Sequence, residues 1–171
     1  MNILVTGGGS FVGINIVRHL AATIQDIHLT VADRHALDAP ADQFLAPVAD
    51  RVRMVQLDVT DRAAVQQVVR TNHITHIVHA AAITPDPERE RAYPTPIVDV
   101  NLGGAINVLD AAIQSPTVER VLLLSSDGVY GAPAVAVPEP QREDGALQIE
   151  NLYTITKYSV ELLAATRLSA I

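Results

Sequence analysis

The chain has 171 residues, 49% of them hydrophobic, which suffices for one domain with a sizeable core and excludes an intrinsically disordered chain. A net charge of −7 argues against a nucleic-acid-binding surface, which would be basic. Cysteine is absent, which excludes disulfides, thiolate catalysis and zinc–thiolate sites and suits a cytoplasmic location.

Strand and helix patterns alternate along the chain. The N-terminus lacks the basic flank of a signal peptide, and no apolar run approaches the ~18 to 20 residues of a membrane span. Asn2 to Thr6 reads as a short strand buried on both faces. Phe11 to Ala22 reads as a helix, Ile27 to Ala32 as the second strand and Arg51 to Leu57 as the third. A helix from Asp61 to Arg70 starts on an aspartate, and Thr75 to Ala80 forms strand four. A long helix follows over Ile97 to Gln114, then strand five over Arg120 to Ser125. Asn151 can cap a last helix running to about Leu168, after a proline-rich loop over Pro133 to Pro140. Five strands with crossover helices predict a doubly wound, parallel α/β sheet of Rossmann type, order 3-2-1-4-5, with the ligand crevice where strands one and four part.

Between the first strand and helix stands Thr6-Gly7-Gly8-Gly9-Ser10-Phe11-Val12-Gly13. Glycines allow a sharp turn and close backbone approach to a pyrophosphate, and the helix N-terminus supplies free N–H groups and the positive end of its dipole. Gly13, inside the helix, is expected to permit close packing on the sheet. Asp33 closes strand two, 20 residues after Gly13, where an acidic side chain meets ribose hydroxyls and repels a 2′-phosphate. That favours NAD over NADP, although Arg34 beside it works the other way.

Tyr153 and Lys157 lie i and i+4 on one helix face. A free phenol, with a pKa of about 10, is a poor base near neutrality. A neighbouring ammonium is expected to lower that value. Tyr153 then takes a proton from a substrate hydroxyl as hydride leaves its carbon, Ser126 hydrogen-bonds the same oxygen, and Lys157 also holds the nicotinamide ribose.

These motifs together resemble the short-chain dehydrogenase/reductase superfamily, whose phosphate loop T-G-x-x-G-x-x-G is matched at Gly7 and Gly13 with Ser10 in place of the middle glycine. Ser125-Ser126-Asp127-Gly128-Val129-Tyr130-Gly131 resembles the S-S-x-x-V-Y-G signature of its extended branch, the NAD-dependent epimerase/dehydratase family. The resemblance covers essentially the whole chain. It implies that Gly7, Gly9, Ser10, Phe11, Val12 and Gly13 hold the pyrophosphate, that Asp33 and Arg34 border the adenosine ribose, and that Asp58 and Val59 border the adenine. It further implies that Ala80, Ala81 and Ala82 let the nicotinamide ribose lie close, and that Asn101, Tyr153 and Lys157 complete the cofactor site. Members normally continue into further strands and a small substrate domain, so residues 1–171 are expected to be the NAD-binding part of a longer protein, with strand five as an exposed apolar edge. Nucleotide-sugar 4,6-dehydratases of the family carry Asp-Glu where this chain has Asp127-Gly128, which points to epimerisation or dehydrogenation of a sugar or nucleotide sugar. A homodimer is expected through helices 97–114 and 151–168, using Ile106, Val108, Leu109, Ile113, Val160, Leu162, Leu163 and Leu168. A catalytically idle dinucleotide-binding sensor or scaffold is the rival reading.

Three other readings fail on the sequence. His73, His76 and His79 recur at a spacing of three, but on a strand His76 and His79 face opposite ways, so no metal site is expected. Ser126 lacks the G-x-S-x-G elbow of a hydrolase nucleophile. Glu88, Glu90, Glu139, Glu143 and Asp144 fall between elements and read as solvated charge.

Overall fold

The computed structural model describes residues 1–131 and 142–167. Its five strands are β1 (Asn2–Thr6), β2 (His28–Asp33), β3 (Val52–Gln56), β4 (His76–His79) and β5 (Arg120–Leu123), all parallel in the order β3-β2-β1-β4-β5. This is the order the sequence predicts. Alternation along β1 divides the core in two. Ile3 and Val5 pack with Val17 of α1 (Phe11–Thr23) and Leu29 of β2, whereas Leu4 packs on the other face with Val65 of α3 (Arg62–Thr71) and Val108 of the long helix. Asp61 caps α3, its side chain accepting from the Ala64 N–H at 3.0 Å.

Two short helices escape the sequence reading. Helix α2 (Ala39–Leu45) is capped by Asp38 and runs on into a 3₁₀ turn over Ala46–Arg51. Helix α4 (Pro87–Ala92) is capped by Asp86, whose carboxylate accepts from the N–H groups of Glu88 and Arg89, both at 3.0 Å. Each begins with an aspartate followed by a proline in the first turn, a start signal too short to carry apolar periodicity.

The long helix starts earlier than predicted. It runs over Pro94–Gln114, as α5 (Pro94–Val98), a π-helical turn (Asp99–Gly103) and α6 (Gly104–Gln114). By length and composition it could cross a membrane, with a mean hydropathy of 1.3 over its most apolar window, contrary to the expectation that no run qualifies. Its apolarity has a local cause: Ala105, Val108, Leu109, Ala111 and Ala112 are buried in the chain's own core. The edge strand β5 ends at Leu123, and Leu122 is 50% exposed. The last helix, α7 (Leu152–Arg167), starts where Asn151 Oδ1 accepts the Thr154 N–H at 2.9 Å. Leu168, Glu139 and the 133–140 loop lie outside the described residues.

Candidate functional site

The carboxyl ends of β1, β2 and β4 enclose an open groove of about 400 Å³, lined among others by Gly7, Gly9, Ser10, Asp33, Arg34, Asp58, Val59 and Ala80 to Ala82. These sequence-predicted residues meet there because parallel strands deliver all their loops to one edge. Gly7 has φ +66°, and a Cβ on it would lie 2.6 Å from Ala81 Cα, so the turn demands glycine both for its conformation and for its closeness to the chain leaving β4. Gly13 serves a different contact from the one expected. Its missing side chain would sit 2.2 Å from the Gly7 carbonyl, so it fits the helix against the glycine turn rather than against the sheet.

Ser10 ties that turn together. Its hydroxyl donates to the Gly7 carbonyl at 2.7 Å and accepts from the Gly13 N–H at 3.1 Å, capping α1. Phe11 and Val12 lie outside the groove lining, and Phe11 is 85% exposed at the helix start. Asp33 Oδ2 accepts the Gly9 N–H at 3.0 Å, and its Oδ1 accepts the His35 N–H at 3.3 Å. The carboxylate therefore braces the glycine loop as well as facing the groove. Arg34 turns its Nε to His35 Nε2. The backbone N–H and hydroxyl of Thr60 hold the Asp58 carboxyl below the usual carboxylate range.

Asn101 is placed differently from a groove residue. It is buried in the π-helical turn, accepting from the Ile83 N–H at 2.7 Å and donating to the Ile83 carbonyl at 3.1 Å and to Thr156 Oγ1 at 3.2 Å. Its side-chain amide thus clips the chain leaving β4 to α7.

Ser126, Tyr153 and Lys157 gather beyond β5. Ser126 opens a 3₁₀ turn (Asp127–Tyr130) and accepts the Gly128 N–H at 3.1 Å. The Tyr153 phenol is pushed above its ordinary value by burial, with the Ser126 side-chain hydrogen bond pulling it back and the Asp127 charge adding to the rise. The expected lowering by Lys157 is therefore absent in the protein alone. Lys157 donates its Nζ to the Leu124 carbonyl at 2.7 Å and lies 5.7 Å from the centroid of the Tyr153 ring. Burial lowers the Lys157 pKa as well.

Three further residues near the site were missed. Thr6 Oγ1 and His79 Nδ1 are 2.7 Å apart and buried. Burial, then the nearby Lys157 charge, lowers His79 to about 4, so its ring is neutral. His76, three residues earlier, bonds Thr75 Oγ1 instead. Glu90, expected to be solvated, accepts from the first turn of α7, at 2.9 Å from Leu152 N and 3.4 Å from Tyr153 N. Nothing local in the sequence marks these cross-element partners, although Asp86-Pro87 marks the helix that carries Glu90.

A groove of this shape fits a dinucleotide: a left-handed glycine turn, a helix N-terminus and three alanines leave room for a phosphate backbone and a ribose. Comparison with known proteins agrees. The model of the NAD dependent epimerase/dehydratase family matches residues 3–168. A dTDP-glucose 4,6-dehydratase of Mycolicibacterium smegmatis is 34% identical over 163 residues, covering 95% of this chain and 47% of that protein. A UDP-glucose 4-epimerase of Lactobacillus helveticus is 29% identical, covering 96% and 46% respectively. Among solved structures, the UDP-glucose-4-epimerase from Stenotrophomonas maltophila, with bound NAD and formylated UDP-arabinopyranose, superposes with a TM-score of 0.85 at 27% identity, over 99% of this chain and 49% of that one. The chain spans about half the length of the curated relatives it matches.

Proposed function

The chain belongs to the NAD dependent epimerase/dehydratase family, and on that premise we propose that it binds NAD and takes part in epimerisation or dehydrogenation of a sugar or nucleotide sugar. The observation that carries the reading is the glycine-turn groove at the carboxyl ends of the strands, and beyond β5 Lys157 lies 5.7 Å from the centroid of the Tyr153 ring. Gly7, Gly9 and the free amides at the start of α1 hold the pyrophosphate, Asp33 the adenosine ribose, Asp58 and Val59 the adenine, and Ala80 to Ala82 admit the nicotinamide ribose. NAD, when bound, supplies the hydride acceptor and a positive charge. Tyr153 takes the hydroxyl proton, Ser126 donates a hydrogen bond to the reacting oxygen, and Lys157 holds the ribose.

Gly128 supports this choice over dehydration. It carries no acidic side chain to act as the acid/base of dehydration, and a Cβ there would stand 3.0 Å from Thr154 Cγ2 and 3.2 Å from Ser126 Oγ, tight contacts that would need those side chains to give by a few tenths of an ångström. The test is cofactor binding and turnover with a panel of nucleotide sugars. Tyr153→Phe keeps the ring and should bind NAD normally while losing about 10²- to 10⁴-fold in turnover. Full turnover in that variant rejects the mechanism. NAD binding without turnover on any sugar by the full-length protein favours the idle-module reading.

The homodimer remains part of the proposal with a reduced surface. Val108, Leu109 and Val160 lie in the chain's own core and are removed from it. Ile113, Ile155 and Leu162 are exposed on the same two helices and are the apolar side chains available to a second copy. A monomeric mass by light scattering at tens of micromolar counts against it.

A further inference from the structure

The segment between β4 and α5 is fastened to α7 by polar side chains. Helix α4 contributes no buried side chain. Its capping residue Asp86 orders the turn that presents Glu90, which is partly buried while Glu88 is exposed. Glu90 Oε2 accepts the Leu152 N–H at 2.9 Å and Oε1 the Tyr153 N–H at 3.4 Å, across 62 and 63 residues of chain. First-turn N–H groups have no acceptor within their own helix, and a carboxylate also complements the positive end of the dipole. Asn151 takes the next one, at Thr154. The other end of the segment is held at Ile83 by Asn101, which also donates to Thr156 of α7.

We propose that Glu90 is a positioning residue for Tyr153, setting the place of the phenol by holding the backbone from which it projects. The proposal rests on the reading of Tyr153 as the base. The segment it fastens begins among Ala80 to Ile83, which line the groove, so the groove wall and the catalytic helix are tied at both ends of one short connection.

The test follows amide hydrogen exchange at Leu152 and Tyr153, and the ring Cζ resonance of Tyr153, identified by its loss in Tyr153→Phe. In Glu90→Ala both amides should exchange roughly 10- to 100-fold faster, the range for a charge-assisted hydrogen bond, and the phenol resonance should shift, while β1 and β4 stay protected. Glu90→Gln keeps one acceptor oxygen and should restore the Leu152 amide and most of the phenol signal. Glu90→Asp is one methylene too short and should lie between, which decides the matter if Glu90→Ala does not fold. Unchanged exchange, or faster exchange with an unmoved phenol resonance, overturns the proposal. Full turnover in Tyr153→Phe overturns it by a separate route, through the base assignment, with the exchange result left standing.

Discussion

The Lys157 ammonium is anchored to the Leu124 carbonyl at 2.7 Å and passes 5.7 Å from the centre of the Tyr153 ring. The pairing that i, i+4 spacing suggests is thus a shared helix face, with the lysine held by the chain leaving β5 and the phenol partly buried. Burial raises Tyr153 and lowers Lys157, so each shift disfavours the charged form, as desolvation does. The protein alone keeps Tyr153 protonated at neutral pH, and the positive charge brought by bound NAD is what would bring phenolate into range.

This predicts a cofactor-dependent titration. Without NAD, Tyr153 should ionise above the ordinary value of about 10, and Lys157→Met should move it little because the ammonium is directed elsewhere. Adding NAD should lower it. The difference in phenolate absorbance between the wild-type chain and Tyr153→Phe isolates this group from the other three tyrosines. A Tyr153 already below its ordinary value in the free protein contradicts the account.

Asp33 has two tasks, which separates two variants. Asp33→Asn can still accept the Gly9 N–H through its amide oxygen but loses the charge that repels a 2′-phosphate. It should narrow the preference for NAD over NADP while keeping the loop. Asp33→Ala loses both, and should weaken NAD by about 10- to 100-fold as well. Titration with each cofactor reads both constants. Tighter binding of NADPH than of NADH by the wild-type chain would sink the assignment.

The sheet was legible because its strands are apolar runs closed by chemistry that punctuates them: Asn2 to Thr6 ends in glycines, and the third strand ends before the Asp61 cap. The glycine turn, Asp33 and the three alanines were legible because each sits at a strand's carboxyl end, and topology then gathers such ends. Side-chain reach was not legible. Glu90 and Glu88 are alike in sequence, and only the packing of α4 beside α7 gives one of them two N–H partners. The same holds for Asn101, whose amide is consumed by Ile83 and Thr156, and for Val108 and Leu109, whose apolarity cannot say by itself whether a core or a second copy covers them.

An ion-pair cluster fixes the outer helices. Asp110 of α6 pairs with Arg62 of α3 at 3.2 Å and with Arg167 at the end of α7, and its own side chain is only 11% exposed. Both arginines keep access to water, so losing the carboxylate leaves no charge stranded. Asp110→Ala should therefore cost a modest ~1–2 kcal/mol, seen as a lower denaturant midpoint at constant slope. The deficit should be smaller in Arg62→Ala or Arg167→Ala, since each leaves one pair in place. No change in Asp110→Ala would show that its pairs with Arg62 and Arg167 add nothing to the hold on α7.

Acid should weaken the fold through His79. Its ring is buried against Thr6 Oγ1, and burial together with the Lys157 charge lowers it from 6.5 to about 4. The unfolded chain therefore binds a proton between these two values that the folded chain refuses. Unfolding takes up protons in this window, so stability is intact above pH 6.5 and falls as pH drops toward 4, by as much as ~3 kcal/mol if the whole shift is expressed. Carboxylates stabilised in the fold, such as Asp58, titrate lower and add their loss below that window. The measurement is denaturant midpoint against pH for the wild-type chain and His79→Gln. Glutamine can still hydrogen-bond Thr6 but has no proton to gain, so its profile should be flat between pH 6.5 and 4 where the wild-type profile slopes. Parallel profiles for the two would mean that His79 is not the group that sets the acid limit.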